Sequence, residues 1–205
     1  MKTFKNIVSG LLVAILFTSL GFSQQMKELE IGSKAPMVDK KMKNVSGNEI
    51  SLQDAAKENG LVVIFSCNTC PWVERWEDRY PMVSNIASEN EVGMIALNPN
   101  EDYRDRGDGM DDMIKRAKKM NYDFPYTLDK DHEIADAFGA TRTPHVYLFN
   151  ADMKLVYVGA IDDNARDANS VDSFYLKDAI EQMTAGKKVT VPATKSLGCT
   201  IKRVS

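Results

Sequence analysis

The sequence predicts an α/β fold with a mixed central sheet flanked by helices, and three patterns carry that prediction. Two apolar stretches, within 61–65 and 91–98, lack polar–apolar alternation, as expected of strands covered on both faces. Between them Trp72, Val73, Trp76, Tyr80, Val83 and Ile86 recur at helical spacing. Further on, 145–149 and 154–159 flank a turn at Asn150-Ala151-Asp152 and read as antiparallel partners. The order strand, helix, strand, helix, hairpin, helix suits a layered α/β domain.

Each element has a local reason. Residues 28–60 are extended, with a turn at Ser46-Gly47-Asn48 and alternating Ile50 and Leu52, which predicts an N-terminal hairpin extension. A helix starts at Pro71, and Pro81 should kink it or end it after Tyr80. An Asp-rich loop leads to a helix over 110–120, then a short strand over 124–128. A short helix over 131–138 is stopped by Gly139. A closing helix over 171–185 offers Phe174, Leu176, Ala179, Ile180 and Met183 as its inner face. From Gly186 the chain is an extended tail, 186–205, expected to pack on the domain.

The N-terminus has a separate purpose. Lys2 and Lys5 precede an apolar stretch from Ile7 to Leu20, and Gly21 and Ser23 supply the small residues of a cleavage site. Residues 1–23 therefore read as a signal peptide and 24–205 as one exported, periplasmic domain, not membrane-embedded once the signal is removed. The whole chain carries a net charge of −3, and losing two lysines takes it to −5. A mildly acidic domain argues against nucleic acid as a partner.

The chemistry concentrates in Ser66-Cys67-Asn68-Thr69-Cys70-Pro71, directly after the first buried strand. A C-x-x-C spacing serves a redox disulfide or half of a zinc site. Zinc needs four ligands, and Cys199, His132 and His145 offer no second pair at ligand spacing, so no metal is expected. The strand-to-helix context instead places one thiol at the helix entrance, where amides and the macrodipole should lower its pKa, and the second one turn further in. Glu74, four residues after Cys70, is a candidate proton relay, set against a solvated glutamate. His145 reads as a strand-edge histidine with an ordinary hydrogen bond, and His132 as solvated. The acids 102, 105, 108, 111 and 112 lack the spacing of a calcium loop and read as a solvated loop, as do Asp162, Asp163 and Asp167.

These motifs resemble the thioredoxin-like superfamily, and within it the extracytoplasmic proteins grouped with alkyl hydroperoxide reductase and thiol-specific antioxidant. The resemblance rests on 65–71, on Thr143-Pro144 before the hairpin, on the stretch from Gly32 to Leu52, and on Gly198-Cys199-Thr200-Ile201-Lys202. It implies a thioredoxin-like fold, no cofactor, and disulfide exchange with protein or small-molecule thiols. Cys67 would be the nucleophile and Cys70 the resolving thiol, with a membrane thiol relay as electron donor. It also implies a cis Pro144, with the Thr143 backbone turned outward to bind an extended substrate segment. Cys199 would be either an additional redox thiol that bonds Cys67, Cys70 or a partner, or a small buried residue in the tail.

Departures from the pattern bear on the reaction. Ser66 stands where thioredoxins carry tryptophan, and residues 61–65 include no acid. Ile64 replaces the threonine of thiol peroxidases, no proline lies seven residues before Cys67, and Arg142 is the arginine available to a peroxide. A thiol peroxidase is one alternative function. A copper-binding module using Cys67, Cys70 and His145 or Cys199 is the other, although copper carriers of this fold space their cysteines by three residues.

Overall fold

The computed structural model describes residues 27–204, so the signal expected at 1–23 lies outside the described residues. Among the described residues the strands of the main sheet are β1 (Met42–Asn44), β2 (Glu49–Ile50), β3 (Gly60–Phe65), β4 (Val92–Asn98), β5 (Tyr126–Leu128), β7 (His145–Asn150) and β8 (Leu155–Gly159). These seven form one mixed sheet, the run β2-β1-β5-β4 continuing beside β4 into β3-β7-β8. β4 and β5 run parallel, while the pairs β1–β2, β1–β5, β3–β7 and β7–β8 are antiparallel. Two further short strands, β6 (Arg142–Thr143) and β9 (Cys199–Thr200), pair with each other apart from that sheet. The helices are α1 (Leu52–Ala55), α2 (Pro71–Trp76), α3 (Tyr80–Glu89), α4 (Met110–Lys119), α5 (Glu133–Phe138) and α6 (Tyr175–Thr184).

The sheet divides two apolar layers, which explains the missing alternation in β3. Val62 and Ile64 join Trp76, Tyr80, Val83, Leu148 and Ile180 on one side. Leu61, Val63 and Phe65 join Phe138, Tyr147, Phe149 and Leu155 on the other. All six β3 residues are buried, so both faces contribute core. On the second side Phe138 meets Phe65, Tyr147 and Phe149 edge-on at centroid distances of 5.2–5.6 Å.

Several boundaries differ from expectation. The helix after β3 breaks at 77–79, before Tyr80, in a 3-10 turn. Pro81 then lies in the first turn of α3, where its missing N–H costs nothing, so it starts a helix rather than ending one. The closing helix begins at Tyr175. Phe174 caps it and is exposed, so only Leu176, Ala179, Ile180 and half-buried Met183 face inward. Ser51 caps the unanticipated α1 through a reciprocal box with Asp54. The Asp129 carboxylate accepts from first-turn amides of α5, Ile134 at 3.0 Å and Ala135 at 2.8 Å.

Polar residues read as solvated turn out to be structural. Asp162 is buried and accepts from Arg79 Nε at 3.2 Å, while Arg79 Nη2 donates to Asn164 O at 2.6 Å. This pair ties the 3-10 turn below α2 to the loop after β8. His132 is largely covered and pairs with Asp136 at 2.8 Å. His145 lies on β7, a central strand between β3 and β8 rather than an edge, and its Nε2 meets Glu28 at 2.8 Å. Truncating one member of a buried ion pair strands the other charge. Arg79→Ala should therefore lose about 3–5 kcal/mol of unfolding free energy in urea titrations; a loss under about 1 kcal/mol would mean water reaches Asp162.

Candidate active site

β3 ends at Phe65, and one more residue still follows the sheet, with Ser66 N donating to Leu97 O at 2.8 Å. The Ser66 hydroxyl meets Tyr80 OH at 3.0 Å, which fixes the exit direction of the chain. Cys70 is the N-cap of α2 and Pro71 occupies its first turn. Cys67 consequently stands three residues before the helix cap, and Cys70 is at the helix entrance rather than one turn inside it. Proline at the start of a helix is pre-set for that position, which draws the boundary to Pro71.

The loop between the cysteines is held by Asp108, a fully buried carboxylate. It accepts from the Asn68 amide at 2.6 Å, Thr69 Oγ1 at 2.7 Å, Asn98 Nδ2 at 3.0 Å and Asn100 Nδ2 at 2.9 Å. Asn68 in turn donates to Gly107 O at 2.8 Å and accepts from Tyr126 OH at 3.0 Å. The reading of this acid as part of a solvated loop is thus corrected. Its signal in the sequence was the Gly107-Asp108-Gly109 setting, unlike that of any other acid in the loop. Gly107, at φ +108°, closes the 3-10 turn that brings the carboxylate inward.

The Thr143–Pro144 peptide is cis, as the resemblance implied. Thr143 Oγ1 stands 3.2 Å from Cys67 Sγ, and Thr143 O stands 3.2 Å from Cys70 Sγ. The Thr143 backbone, expected to face an incoming substrate, is fully buried beneath the chain's own tail, because β9 pairs with β6 and sets Cys199 opposite Thr143. Cys199 is bonded to Cys70 across a Cα–Cα distance of 6.2 Å, within the ordinary range for a disulfide. Cys67 is left as the free thiol, 2% exposed, packed with Cys70 and Val73 under Trp72 and Cys199. Three sulfurs therefore meet at one place.

The electrostatics reverse the expected sign at Cys67. Burial, followed by the negative charge of Asp108, pushes its thiol up to about 12. The Thr143 hydroxyl and the amides of Cys70 and Thr69 act the other way but are outweighed. The helix-entrance effect exists; desolvation is larger. Because the folded thiol keeps its proton to about 12 and an ordinary one loses it near 9.0, this group's contribution to stability is present below 9.0 and lost as pH rises toward 12.

The other sequence candidates lie outside this cluster. Glu74 is 59% exposed, and its carboxylate faces Arg116 at 3.7 Å rather than either cysteine. Arg142 Nη1 donates to Gly198 O at 2.9 Å and so holds the tail. His145, opposite Phe65 in the sheet, is engaged by Glu28. Among the described residues no group of three or more His, Cys, Asp and Glu side chains is placed to hold a metal ion, and no helix is long and apolar enough to cross a membrane.

A buried strand ending in C-x-x-C at a helix cap, facing a cis proline before a hairpin, matches a known family over residues 31–158. The chain belongs to the AhpC/TSA family. AhpC/TSA proteins are thiol-based redox enzymes on a thioredoxin-like fold. An uncharacterized conserved protein from Geobacillus kaustophilus is similar at 31% identity and TM-score 0.78, covering 85% of this chain and 93% of its own. A hypothetical protein from Sinorhizobium meliloti 1021 is similar at 26% identity and TM-score 0.78, covering 87% and 97%. A secreted Mycobacterium tuberculosis disulfide oxidoreductase shares the fold at 17% identity and TM-score 0.51, covering 73% and 96%. Comparison with curated proteins finds no match.

In this AhpC/TSA protein the carboxylate of Asp108 opposes ionisation of Cys67. In a Cys70→Ser/Cys199→Ser background Cys67 is the only thiol and no disulfide holds the tail over it, so uptake of iodoacetamide reports it alone. Asp108→Asn should shift the pH profile of uptake to lower pH; an unmoved profile would show that Asp108 only shapes the loop.

Proposed function

We propose that this chain is an exported thiol–disulfide oxidoreductase working through Cys67 and Cys70, in the reductive direction. The observation that carries the reading is the convergence of Cys67, Cys70 and the cis Thr143–Pro144 peptide at the cap of α2, with one sulfur already in a disulfide. A redox disulfide and a spare thiol in contact distance of one threonine are the parts that exchange needs. Family membership supports the class of chemistry. Export rests on the signal pattern at 1–23, which also sets the domain at 24–205.

In the fully reduced enzyme the Cys67 thiolate attacks one sulfur of a substrate disulfide. A mixed disulfide forms and the other substrate sulfur leaves as a thiolate. Cys70 then attacks Cys67 Sγ, forming the Cys67–Cys70 bond and releasing the second substrate sulfur. The substrate gains two electrons and the enzyme loses them; a membrane dithiol relay would restore them. Thr143 Oγ1, 3.2 Å from Cys67 Sγ, is placed to hydrogen-bond the thiolate as it forms. Cofactors are not needed for any of these steps.

Insulin reduction with a dithiol donor tests this. Wild type should turn over, and Cys67→Ser or Cys70→Ser should each lose at least about 100-fold, since removing either partner of a covalent exchange pair abolishes the cycle. Tight Cu(I) binding without turnover would favour the copper module, and thiol-dependent consumption of hydrogen peroxide that survives Cys70→Ser would favour a peroxidase.

A further inference from the structure

We propose that tail residues 197–200 occupy, from within the chain, the backbone edge on which an extended cysteine-bearing segment of a partner polypeptide docks, and that breaking the Cys70–Cys199 bond frees that edge. This inference rests on the exchange reading above and on the docking edge the resemblance implies, and adds the occupation of that edge by the chain's own tail and its redox gating.

The tail lies on the site as a docked peptide would. β9 pairs antiparallel with β6, Cys199 opposite Thr143 and Thr200 opposite Arg142, which is strand addition to an edge. Its cysteine is bonded to Cys70, the resolving sulfur packed beside Cys67 on which a substrate mixed disulfide would form. Gly198 shows how close the approach is: a Cβ there would stand 2.3 Å from Thr143 O and 3.0 Å from Pro144 N. Only a residue without a side chain lets the strand lie directly on the cis peptide.

The segment is held at both ends and spans the site between them. Upstream, Thr194 Oγ1 accepts from Ala160 N at 3.0 Å, and Thr194 N donates to Val158 O at 2.9 Å. Downstream, Ile201 is buried with its amide on Thr141 O at 3.1 Å, and Lys202 N donates to Asn100 Oδ1 at 2.9 Å. Lys195 and Leu197 between these anchors are exposed. Beside Cys199, the two-residue β6–β9 ladder and the Arg142 contact to Gly198 hold the crossing. A short strap of this kind, exposed at Lys195, Leu197 and Thr200, opens locally without global unfolding.

The redox step balances with a dithiol donor. One donor thiolate attacks Cys199 Sγ, breaking the Cys70–Cys199 bond and leaving Cys70 as thiolate. The second donor thiol, as thiolate, attacks the first donor sulfur, closing the donor disulfide and displacing Cys199 as thiolate. Two electrons and two protons pass to the enzyme. Lifting of 197–200 then uncovers Cys67 and the Thr143 edge together, so the nucleophile becomes accessible only when the edge can bind a substrate strand.

Two measurements on the domain 24–205 test this. Hydrogen exchange over 195–202 and 141–145 should accelerate about tenfold or more when wild type is reduced, and equally in oxidant-treated Cys199→Ser. A peptide of sequence KSLGCTIK, its cysteine carried as a mixed disulfide with thiopyridine, should couple to reduced Cys199→Ser at Cys67 faster than a scrambled peptide with cysteine at the same place. Unchanged exchange on reduction, or equal coupling of the two peptides, overturns the proposal even if insulin turnover is normal. Faster exchange with sequence-selective coupling but no insulin turnover upholds the edge and removes the exchange reading instead. Reduced wild type has the native sequence, so a folding defect of the variant cannot imitate the result.

Discussion

Desolvation of one sulfur governs this site. Cys67 sits at the end of a fully buried strand, beside a buried carboxylate and under the tail. Amides of Thr69 and Cys70 favour its thiolate, yet burial and Asp108 outweigh them and the thiol keeps its proton. A nucleophile in that state is inert, so any reaction at Cys67 requires water or substrate to reach it. The tail covering it, and the sulfur-to-sulfur bond holding the tail, therefore belong to the chemistry as much as to the fold.

The surrounding structure follows from keeping those sulfurs in one place. The double-sided burial of β3 fixes the height at which Cys67 emerges, and Ser66 stays tied to Leu97 and Tyr80. Pro71 sets where α2 begins and hence where Cys70 caps it. Asp108 fixes the two residues between the cysteines through an amide and a hydroxyl. Thr143 contacts both sulfurs from the opposite side, one through its side chain and one through its carbonyl.

What the sequence made legible was what neighbours along the chain decide. β3, β4, the β7–β8 hairpin and α4 lie where periodicity put them, whereas the meeting of Cys67 and Cys70 with Thr143 and Pro144 was implied by the resemblance and not by any local pattern. The features left open, as for Cys199, or missed, as for Asp108, depend on distant partners. Cys199 lies 129 residues from Cys70, and Asp108 lies 40 residues from the Asn68 amide it holds. Neither contact leaves a periodic trace. The sign of the Cys67 shift failed for the same reason: helix-end amides are local and readable, whereas burial is contributed by the tail, α2 and the Asp108 loop together. His132 and Asp162 were misjudged because a polar side chain gives no sequence sign of the partner that draws it out of solvent.

The central claim is that Cys67 is the sulfur that meets the substrate. Trapping decides it most directly: reduced Cys70→Ser is mixed with a disulfide-containing polypeptide, acid-quenched, digested, and its cross-linked peptides are sequenced by mass spectrometry. The account predicts a substrate cysteine joined to Cys67, stable because the resolving thiol is missing. A substrate joined to Cys199 with Cys67 unmodified would contradict it.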